Sequence, residues 1–205
     1  PVYAAMVYSV DENIGRILAA LEETGQAENT IIVFTSDNGG VKTIWDEEYT
    51  DNAPLRSEKF LLYEGGIRVP LIVRWPGVTP KGAKTKQMAC TYDFHTTFMA
   101  AIGAPIVEPN IDGIDLTPVL QLGDKGLIER DLAWHYPHYI PRQEMKPSSA
   151  IRVGDYKLVH WHENHRIELY NLAEDIGESS NLAAEMPEKT LELYEKLQAW
   201  REKVG

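Results

Sequence analysis

Hydrophobic residues recur at three- and four-residue steps through the first part of the chain. The residues that follow this spacing are Met6, Val10, Ile14, Ile17, Leu18 and Leu21. The spacing is typical of an amphipathic helix that packs one stripe against a core, and Gly25 is its expected stop. An uninterrupted apolar run, Ile31-Ile32-Val33-Phe34, follows. Such a run predicts a strand covered on both faces, as in a parallel sheet.

Residues 41–68 are polar, charged and contain glycine, which predicts a long loop over the site. Long ordered loops are uncommon without a functional reason. A second apolar run at 70–75, ending at Pro76-Gly77, predicts another strand. Helical spacing returns over 92–102. Helices that alternate with apolar strands are expected inside a doubly wound α/β sheet.

The carboxy-terminal part has a different pattern, with short alternating runs that predict strands around 150–153, 156–161 and 166–170. Gly154-Asp155 is a suitable hairpin turn between the first two. A final helix is predicted over 187–203, beginning with a proline that the first turn tolerates. We therefore expect two domains: residues 1–118 as part of an α/β domain, and residues 119–205 as a subdomain with antiparallel strands and a terminal helix.

The amino-acid composition and net charge of the chain argue against several classes of partner. The chain has 205 residues, of which 43% are hydrophobic and 25% charged, as in globular proteins. Its net charge of -11 argues against a nucleic-acid partner and against capture of a polyanionic glycan by bulk attraction. No apolar run reaches spanning length, so we expect no membrane partner. The one cysteine, Cys90, excludes an internal disulfide framework without identifying the compartment.

Candidate chemistry lies directly after the first apolar strand, at Asp37-Asn38-Gly39-Gly40. Ligands of open α/β sheets bind at the carboxyl ends of strands. The carboxylate and carboxamide oxygens suit a hard cation such as Ca²⁺ or Mg²⁺, and glycines allow close backbone approach. The same residue types also dominate ordinary turns. On this segment alone, a metal site and a simple turn are both open.

Further segments follow this turn in a recognisable order. They are Pro54-Leu55-Arg56-Ser57-Glu58-Lys59, Glu64-Gly65-Gly66-Ile67-Arg68, Asp112-Gly113-Ile114-Asp115-Leu116, Gly154-Asp155-Tyr156-Lys157-Leu158 and Leu169-Tyr170-Asn171-Leu172. Together with Asp37-Asn38-Gly39-Gly40, they resemble the type I, formylglycine-dependent sulfatase family of the arylsulfatase type. The resemblance extends over nearly the whole chain in the family's order.

The resemblance implies an alkaline phosphatase-like α/β fold, with a partial central sheet and helices followed by a small antiparallel sheet and a covering helix. It implies that Asp37 and Asn38 bind Ca²⁺, with Mg²⁺ as the alternative, and that Lys59 contacts a sulfate oxygen. A cation there would stabilise the charge that develops as the sulfur–oxygen bond breaks. The implied reaction is hydrolysis of an aryl or carbohydrate sulfate ester, so the partner would be a sulfated small molecule or glycan.

The family's nucleophile is a formylglycine made from Cys or Ser in a Cys-x-Pro-x-Arg or Ser-x-Pro-x-Arg motif. Neither motif occurs in this chain, and Cys90 lacks proline and arginine at the required offsets. We therefore expect a carboxy-terminal part of a sulfatase whose formylglycine lies in an absent half. We expect the isolated chain to be inactive and to self-associate through exposed strand edges and apolar faces. By resemblance, the parent protein is periplasmic or secreted.

Histidines provide a second set of candidates, beginning with His135-Tyr136-Pro137-His138-Tyr139. Rings and hydrogen-bond donors of this kind can line a sugar pocket, so His135 and His138 are candidate substrate-binding residues. A packing or surface role is equally open for each. The spacing of the later histidines does not define a zinc site. Glu64 and Arg68 are predicted to mark a structural turn that is held by an ion pair or by backbone hydrogen bonds.

Two other classes of function stay open. The first is a phosphonate or phosphodiester hydrolase of the alkaline phosphatase superfamily, which would share the Asp-Asn-Gly metal turn but require histidine ligands for a second metal. The second is a non-catalytic binding or assembly module, which the missing nucleophile motif favours.

Overall fold

The computed structural model describes residues 2–44, 47–107, 110–139 and 146–204. The helices in these ranges are Val2–Glu23 (α1), Glu64–Ile67 (α2), Asp93–Ala101 (α3), Thr117–Leu122 (α4) and Pro187–Val204 (α5). The strands are Ile32–Thr35 (β1), Thr43–Ile44 (β2), Glu47–Glu48 (β3), Leu71–Arg74 (β4), Asp131–Tyr136 (β5), Ser148–Val153 (β6), Tyr156–Trp161 (β7) and Ile167–Asn171 (β8). Within the described ranges, no helix has the length and apolar character needed to cross a bilayer.

Backbone contacts divide the chain into two units. The first unit is Pro1–Thr35 with Pro70–Ile128, and the second unit is Ser36–Val69 with Glu129–Gly205. This division differs from the domain boundary predicted after residue 118, because residues 36–69 group with the carboxy-terminal sheet. That boundary, as a property of the family's domains, stays a prediction.

In the first unit, α1 is present where the helical spacing predicts it and ends before Gly25, whose φ is 68°. None of its described residues is buried, so its apolar stripe is not covered within this unit. β1 pairs antiparallel with β4, and Phe34 is 41% exposed. The expectation of a parallel, fully covered strand is therefore wrong for this pair. An apolar run reports a tendency to burial and carries no information on strand direction.

Polar anchors hold the rest of the first unit together around α3. The buried Asp93 carboxylate accepts hydrogen bonds from the backbone N–H groups of Cys90 (2.6 Å) and Ile114 (3.0 Å). One turn later, the buried Thr97 hydroxyl accepts a hydrogen bond from the Leu116 N–H at 2.9 Å. These contacts join the start of α3 to the segment that leads into α4.

The second unit is built on an antiparallel sheet with strand order β5-β6-β7-β8. Gly154, with φ 57°, forms the predicted hairpin turn between β6 and β7. One face of the sheet packs against residues 61–67 through a buried cluster: Leu62, Tyr63, Ala150, Val159, Trp161, Tyr170 and Leu172. The other face packs against α5 through Ile151, Leu158, Leu169, Leu193 and Leu197. The predicted small antiparallel sheet with a covering helix is thus confirmed, with β5 as an additional edge strand.

Candidate functional site

The turn formed by residues 37–40 carries the two predicted metal ligands. The Ser36 hydroxyl donates a hydrogen bond to the Asn38 carbonyl at 3.0 Å, and the Asn38 side-chain NH₂ donates to the Gly39 carbonyl at 2.9 Å. The exposed Asp37 carboxylate has, among the described residues, only the Ser36 hydroxyl within hydrogen-bond distance. The turn therefore presents an exposed carboxylate, which accepts only a long contact of 3.5 Å from Ser36 among the described residues, beside the side-chain oxygen of Asn38.

Glycines allow this turn to contact α2 directly. The Gly39 N–H donates a hydrogen bond to the Gly66 carbonyl at 3.0 Å, and a Cβ atom on Gly39 would overlap the Gly65 carbonyl oxygen. A Cβ atom on Gly66 would overlap the Leu61 carbonyl oxygen. The two glycine pairs of the sequence are thus explained by close backbone approach.

Lys59 lies on the same backbone frame as the 37–40 turn. Its N–H donates a hydrogen bond to the Gly40 carbonyl at 3.2 Å, and the preceding Glu58 carboxylate accepts one from the Lys42 N–H. The half-buried Lys59 ammonium lies 5.3 Å from the centroid of the Phe60 ring. Among the described residues, no carboxylate lies within ion-pair distance of this ammonium. The structure therefore brings the three predicted residues Asp37, Asn38 and Lys59 onto one connected frame, with the cation available to an anion.

A buried ion triad anchors this frame to the sheet. Lys157, which is fully buried, has its Nζ 3.0 Å from Glu64 Oε1 and 2.9 Å from Glu178 Oε1. The Glu64 N–H also donates to Glu178 Oε2 at 2.7 Å. Burial raises the pKa of Glu178, an effect that the Lys157 charge opposes. The predicted ion pair between Arg68 and Glu64 is present at 3.4 Å, but the fully buried partner of Glu64 is Lys157.

Arg56 connects the start of the segment 56–64 to the sheet. Its guanidinium donates hydrogen bonds to the Tyr170 hydroxyl (2.9 Å) and the Glu178 carbonyl (2.7 Å), and lies 3.9 Å above the centre of the Tyr63 ring. The Tyr63 hydroxyl donates to Glu168 at 2.7 Å. Burial raises the pKa of Tyr63 far above its usual range and that of Tyr170 to about 12. Both phenols therefore stay protonated at neutral pH, with Tyr63 donating to Glu168 and Tyr170 accepting from Arg56.

Three histidines, His135, His160 and His162, occupy the opposite face of the sheet. His135 Nδ1 lies 2.8 Å from the Ser149 hydroxyl, which in turn lies 2.9 Å from His162 Nε2. The buried His160 ring contacts the Tyr194 ring of α5, with centroids 5.2 Å apart. Since strand residues alternate between faces, His135 shares the α5 side with Ala133. Residues 61–67 pack on the other side.

His138 follows β5 on an exposed segment, with its ring centroid 5.0 Å from that of Tyr136. The structure therefore does not bring His135 to the Lys59 frame, and the substrate-binding role of His135 and His138 stays a prediction. Burial, followed by the nearby charge of Arg201, lowers the pKa of His135, His160 and His162.

The residues of the 37–40 turn offer the oxygen donor atoms that a hard cation prefers. An exposed carboxylate lies beside an amide whose NH₂ group is already bonded to the Gly39 carbonyl, so its oxygen is the remaining donor. Ca²⁺ takes about six to eight oxygen ligands, of which Asp37 and Asn38 would supply a minority. In the described part of the chain, no group of three or more His, Cys, Asp or Glu residues could hold a metal ion. Calcium or magnesium binding stays a prediction.

Sequence reasoning missed the residues that position this site, namely Asn52, Arg56, Lys157 and Glu178. A signal for one of them was present: Lys157 occupies the same strand face as Val159 and Trp161, where an apolar residue is expected. A lysine at such a position requires a buried counter-charge.

Known proteins match this chain over most of its length. Residues 1–104 match the family described as Sulfatase, and residues 57–203 match the family described as N-sulphoglucosamine sulphohydrolase, C-terminal. A sulfatase of Formosa agariphila is 40% identical over 97% of this chain and 39% of its own length. An N-acetylglucosamine-6-O-sulfatase of Bacteroides thetaiotaomicron is 34% identical over 96% of this chain and 34% of its own length.

Solved structures match equally widely. One, in complex with its substrate D-glucosamine-2-N,6-O-disulfate, has a TM-score of 0.79 and 32% identity over 96% of this chain and 39% of that one. Another, in complex with k-i-k-neocarrahexaose, has a TM-score of 0.84 and 28% identity over 97% of this chain and 42% of that one. The chain thus spans 34% to 42% of the length of these four proteins.

Proposed function

This chain belongs to the sulfatase family, and on that premise we propose that it is part of an enzyme that hydrolyses sulfate esters to an alcohol and inorganic sulfate. One observation carries the assignment of roles. The Lys59 N–H is hydrogen-bonded to the turn that presents Asp37 and Asn38, at 3.2 Å from the Gly40 carbonyl. A cation and two oxygen donors on one hydrogen-bonded backbone frame are suited to bind an anionic group through both a metal and an ammonium.

We propose a carbohydrate sulfate as the substrate class, with an aryl sulfate as the alternative. Support comes from relatives whose names specify N-acetylglucosamine-6-O-sulfate and N-acetylgalactosamine-6-sulfate hydrolysis, and from the matching structure with a disulfated glucosamine. The aryl alternative is supported by human arylsulfatase A, which is 35% identical over 72% of this chain. Because the net charge is -11, recognition of a sulfated sugar has to rest on local cations such as Lys59.

In this proposal, Asp37 and Asn38 hold Ca²⁺, or Mg²⁺, which when bound would neutralise charge on the sulfate oxygens. Lys59 donates to a sulfate oxygen and stabilises the negative charge that grows as the sulfur–oxygen bond breaks. The nucleophile lies outside these 205 residues. Cys90 is unsuited to that role, because neither family motif surrounds it.

Two properties of the isolated chain belong to the same proposal. It does not turn over sulfate esters, because it has no nucleophile motif. It also self-associates, because α1 has no buried residue and Ile72 on β4 is 62% exposed. Sedimentation velocity over a concentration series should show species larger than the monomer; a single monomer at every concentration would contradict this part of the proposal.

The test of function uses the intact parent protein and measures release of inorganic sulfate from glucosamine 6-sulfate and from an aryl sulfate. Lys59→Ala should lower kcat by about 10²–10³-fold, the loss expected when one transition-state donor is removed. Lys81→Ala, at an exposed lysine of the first unit, is the matched control and should keep wild-type rates. Hydrolysis of phosphate esters in preference to sulfate esters, or full activity of Lys59→Ala, would refute the proposal.

A further inference from the structure

We propose that Asn52 is a positioning residue that sets the geometry between Lys59 and the 37–40 turn. The inference rests on the proposed function, in which Lys59 contacts sulfate and the turn holds the metal. Asn52 itself would touch neither sulfate nor metal. It acts through the two backbone segments that carry those groups.

The side-chain amide of Asn52 bridges these two segments. Its nitrogen donates one hydrogen bond to the Gly40 carbonyl at 2.9 Å and a second to the Ser57 carbonyl at 3.0 Å. Gly40 ends the turn, and Ser57 lies two residues before Lys59. The Gly40 carbonyl also accepts the Lys59 N–H at 3.2 Å. Both lone pairs of one carbonyl oxygen are therefore used to join the turn to the Lys59 segment.

The backbone around Lys59 needs such a support. Ser57 and Phe60, on either side of it, have φ values of 70° and 80°, a region that non-glycine residues adopt rarely. Backbone in this region persists only where surrounding contacts over-determine it, and it is concentrated at functional sites. The Asn52 hydrogen bond to the Ser57 carbonyl is one of those contacts. Without it, the left-handed conformation loses a restraint immediately before the lysine.

Neighbouring side chains of the same loop do not make this bridge. Asp51 accepts a hydrogen bond from the Ala53 N–H at 2.9 Å, and the Thr50 hydroxyl donates to the Val41 carbonyl at 2.8 Å. The Asp51 contact is local. The Thr50 contact reaches Val41, directly after the turn, and does not involve the Lys59 segment. Asp51→Ala is therefore a matched control from the adjacent position.

The experiment compares Asn52→Ala with Asp51→Ala and wild type in the intact parent protein. Steady-state rates of sulfate release should show kcat lowered by about 10- to 100-fold for Asn52→Ala, the range found when supporting residues of a site are removed, while KM changes little. Amide hydrogen exchange at Lys59 and Gly39 should become faster, and exchange at Leu158 in β7 should not. Asp51→Ala should leave both measurements at wild-type values.

A double variant separates positioning from general destabilisation. Glycine adopts positive φ without strain, so adding Ser57→Gly to Asn52→Ala should restore part of kcat and part of the exchange protection of Lys59. If Asn52→Ala proves too unstable to purify, the Asn52→Asp variant keeps the side-chain shape while removing both donors, and it should show the same pattern.

Unchanged kcat and unchanged exchange at Lys59 in the Asn52 variants would overturn the inference, as would faster exchange spread evenly into β7. Failure of the proposed function is distinguishable from both results. If wild type releases no sulfate from any sulfate ester, the function is wrong. The exchange measurements then still decide whether Asn52 holds the two segments together.

Discussion

The two units of this chain bury their apolar residues to very different extents. In the first unit, α1 has no buried residue, and Phe34 and Ile72 of the β1–β4 pair are 41% and 62% exposed. In the second unit, both faces of the sheet are covered by apolar clusters, and a lysine with two glutamates is buried beside one of them. The comparison teaches that a hydrophobic stripe predicts that a face will be covered without specifying what covers it.

The largest loss of stability in the second unit is expected when the cation of its ion triad is removed. Lys157→Met removes the fully buried partner of Glu64, which keeps its contacts with Arg68 (3.4 Å) and Arg152 (3.7 Å). It leaves the buried Glu178 carboxylate without its cation. Loss of one partner from a buried ion pair costs about 3–5 kcal/mol, so we expect a loss of this size in the free energy of unfolding measured by urea denaturation.

The matched control is Lys196→Met, which breaks a half-exposed ion pair of 2.9 Å with Asp131 in the same unit. Pairs of this kind contribute about 0–1 kcal/mol. Adding Glu178→Gln to Lys157→Met should recover part of the loss, because the carboxylate that lost its cation is then replaced by a neutral amide. Equal losses for the two lysine variants would mean that the triad does not hold the second unit together.

In the first unit, where few apolar residues are buried, the corresponding test removes the buried carboxylate of Asp93. Asp93→Ala would leave the backbone N–H groups of Cys90 and Ile114 without their acceptor. An unsatisfied buried donor costs about 1–3 kcal/mol, and two half-buried donors lose their acceptor here. We therefore expect a urea-unfolding loss of about 2–3 kcal/mol, smaller than that of Lys157→Met.

Asp124→Ala is the control within the first unit, because its exposed carboxylate also accepts a backbone N–H, that of Lys86 at 2.9 Å. It should cost much less than Asp93→Ala. Faster amide exchange in α3 of Asp93→Ala, with β7 unchanged, would assign the loss to the first unit. A loss confined to the second unit would contradict the independence of the two anchoring systems.

Local periodicity predicted most elements, including α1, α3, α5 and the strands β6, β7 and β8, because each depends on residues that are close in sequence. The strand β5 was missed, since its segment was interpreted as a sugar pocket around His135. The antiparallel pairing of β1 with β4 was missed because an apolar run does not encode its partner.

At the candidate site, the resemblance identified Asp37, Asn38 and Lys59, but their support could not be predicted. The Glu64–Lys157 contact joins residues 93 positions apart, and the Arg56–Tyr170 contact joins residues 114 positions apart. Such pairs follow from the packing of distant segments. The one sequence signal for this support, which the sequence analysis did not use, is the lysine on the apolar face of β7, since such a residue requires a buried acid nearby.

The smallest expected effect is a pH dependence of stability that arises on the histidine face of the second unit's sheet and not on the face with the ion triad. Burial and the Arg201 charge lower the pKa of His162 to about 4, and His160 and His135 add to the effect. An unfolded histidine has a pKa of about 6.5. Between pH 6.5 and 4 the unfolded chain therefore binds a proton that the folded chain does not. Stability contributed by neutral His162 is complete above this window and decreases as the pH falls through it.

His162→Gln should thus reduce the difference between the urea midpoints measured at pH 7.5 and pH 5.0. Its midpoint at pH 7.5 should not exceed that of wild type, because the contact with Ser149 at 2.9 Å is altered. His138→Gln, on the exposed segment after β5, is the matched control and should keep the wild-type pH dependence. Amide exchange in α5 provides the local readout, since Arg201 and Tyr194 of this helix face the histidines. If His162→Gln lowers the urea midpoint equally at both pH values, protonation of His162 does not cause the loss of stability in acid.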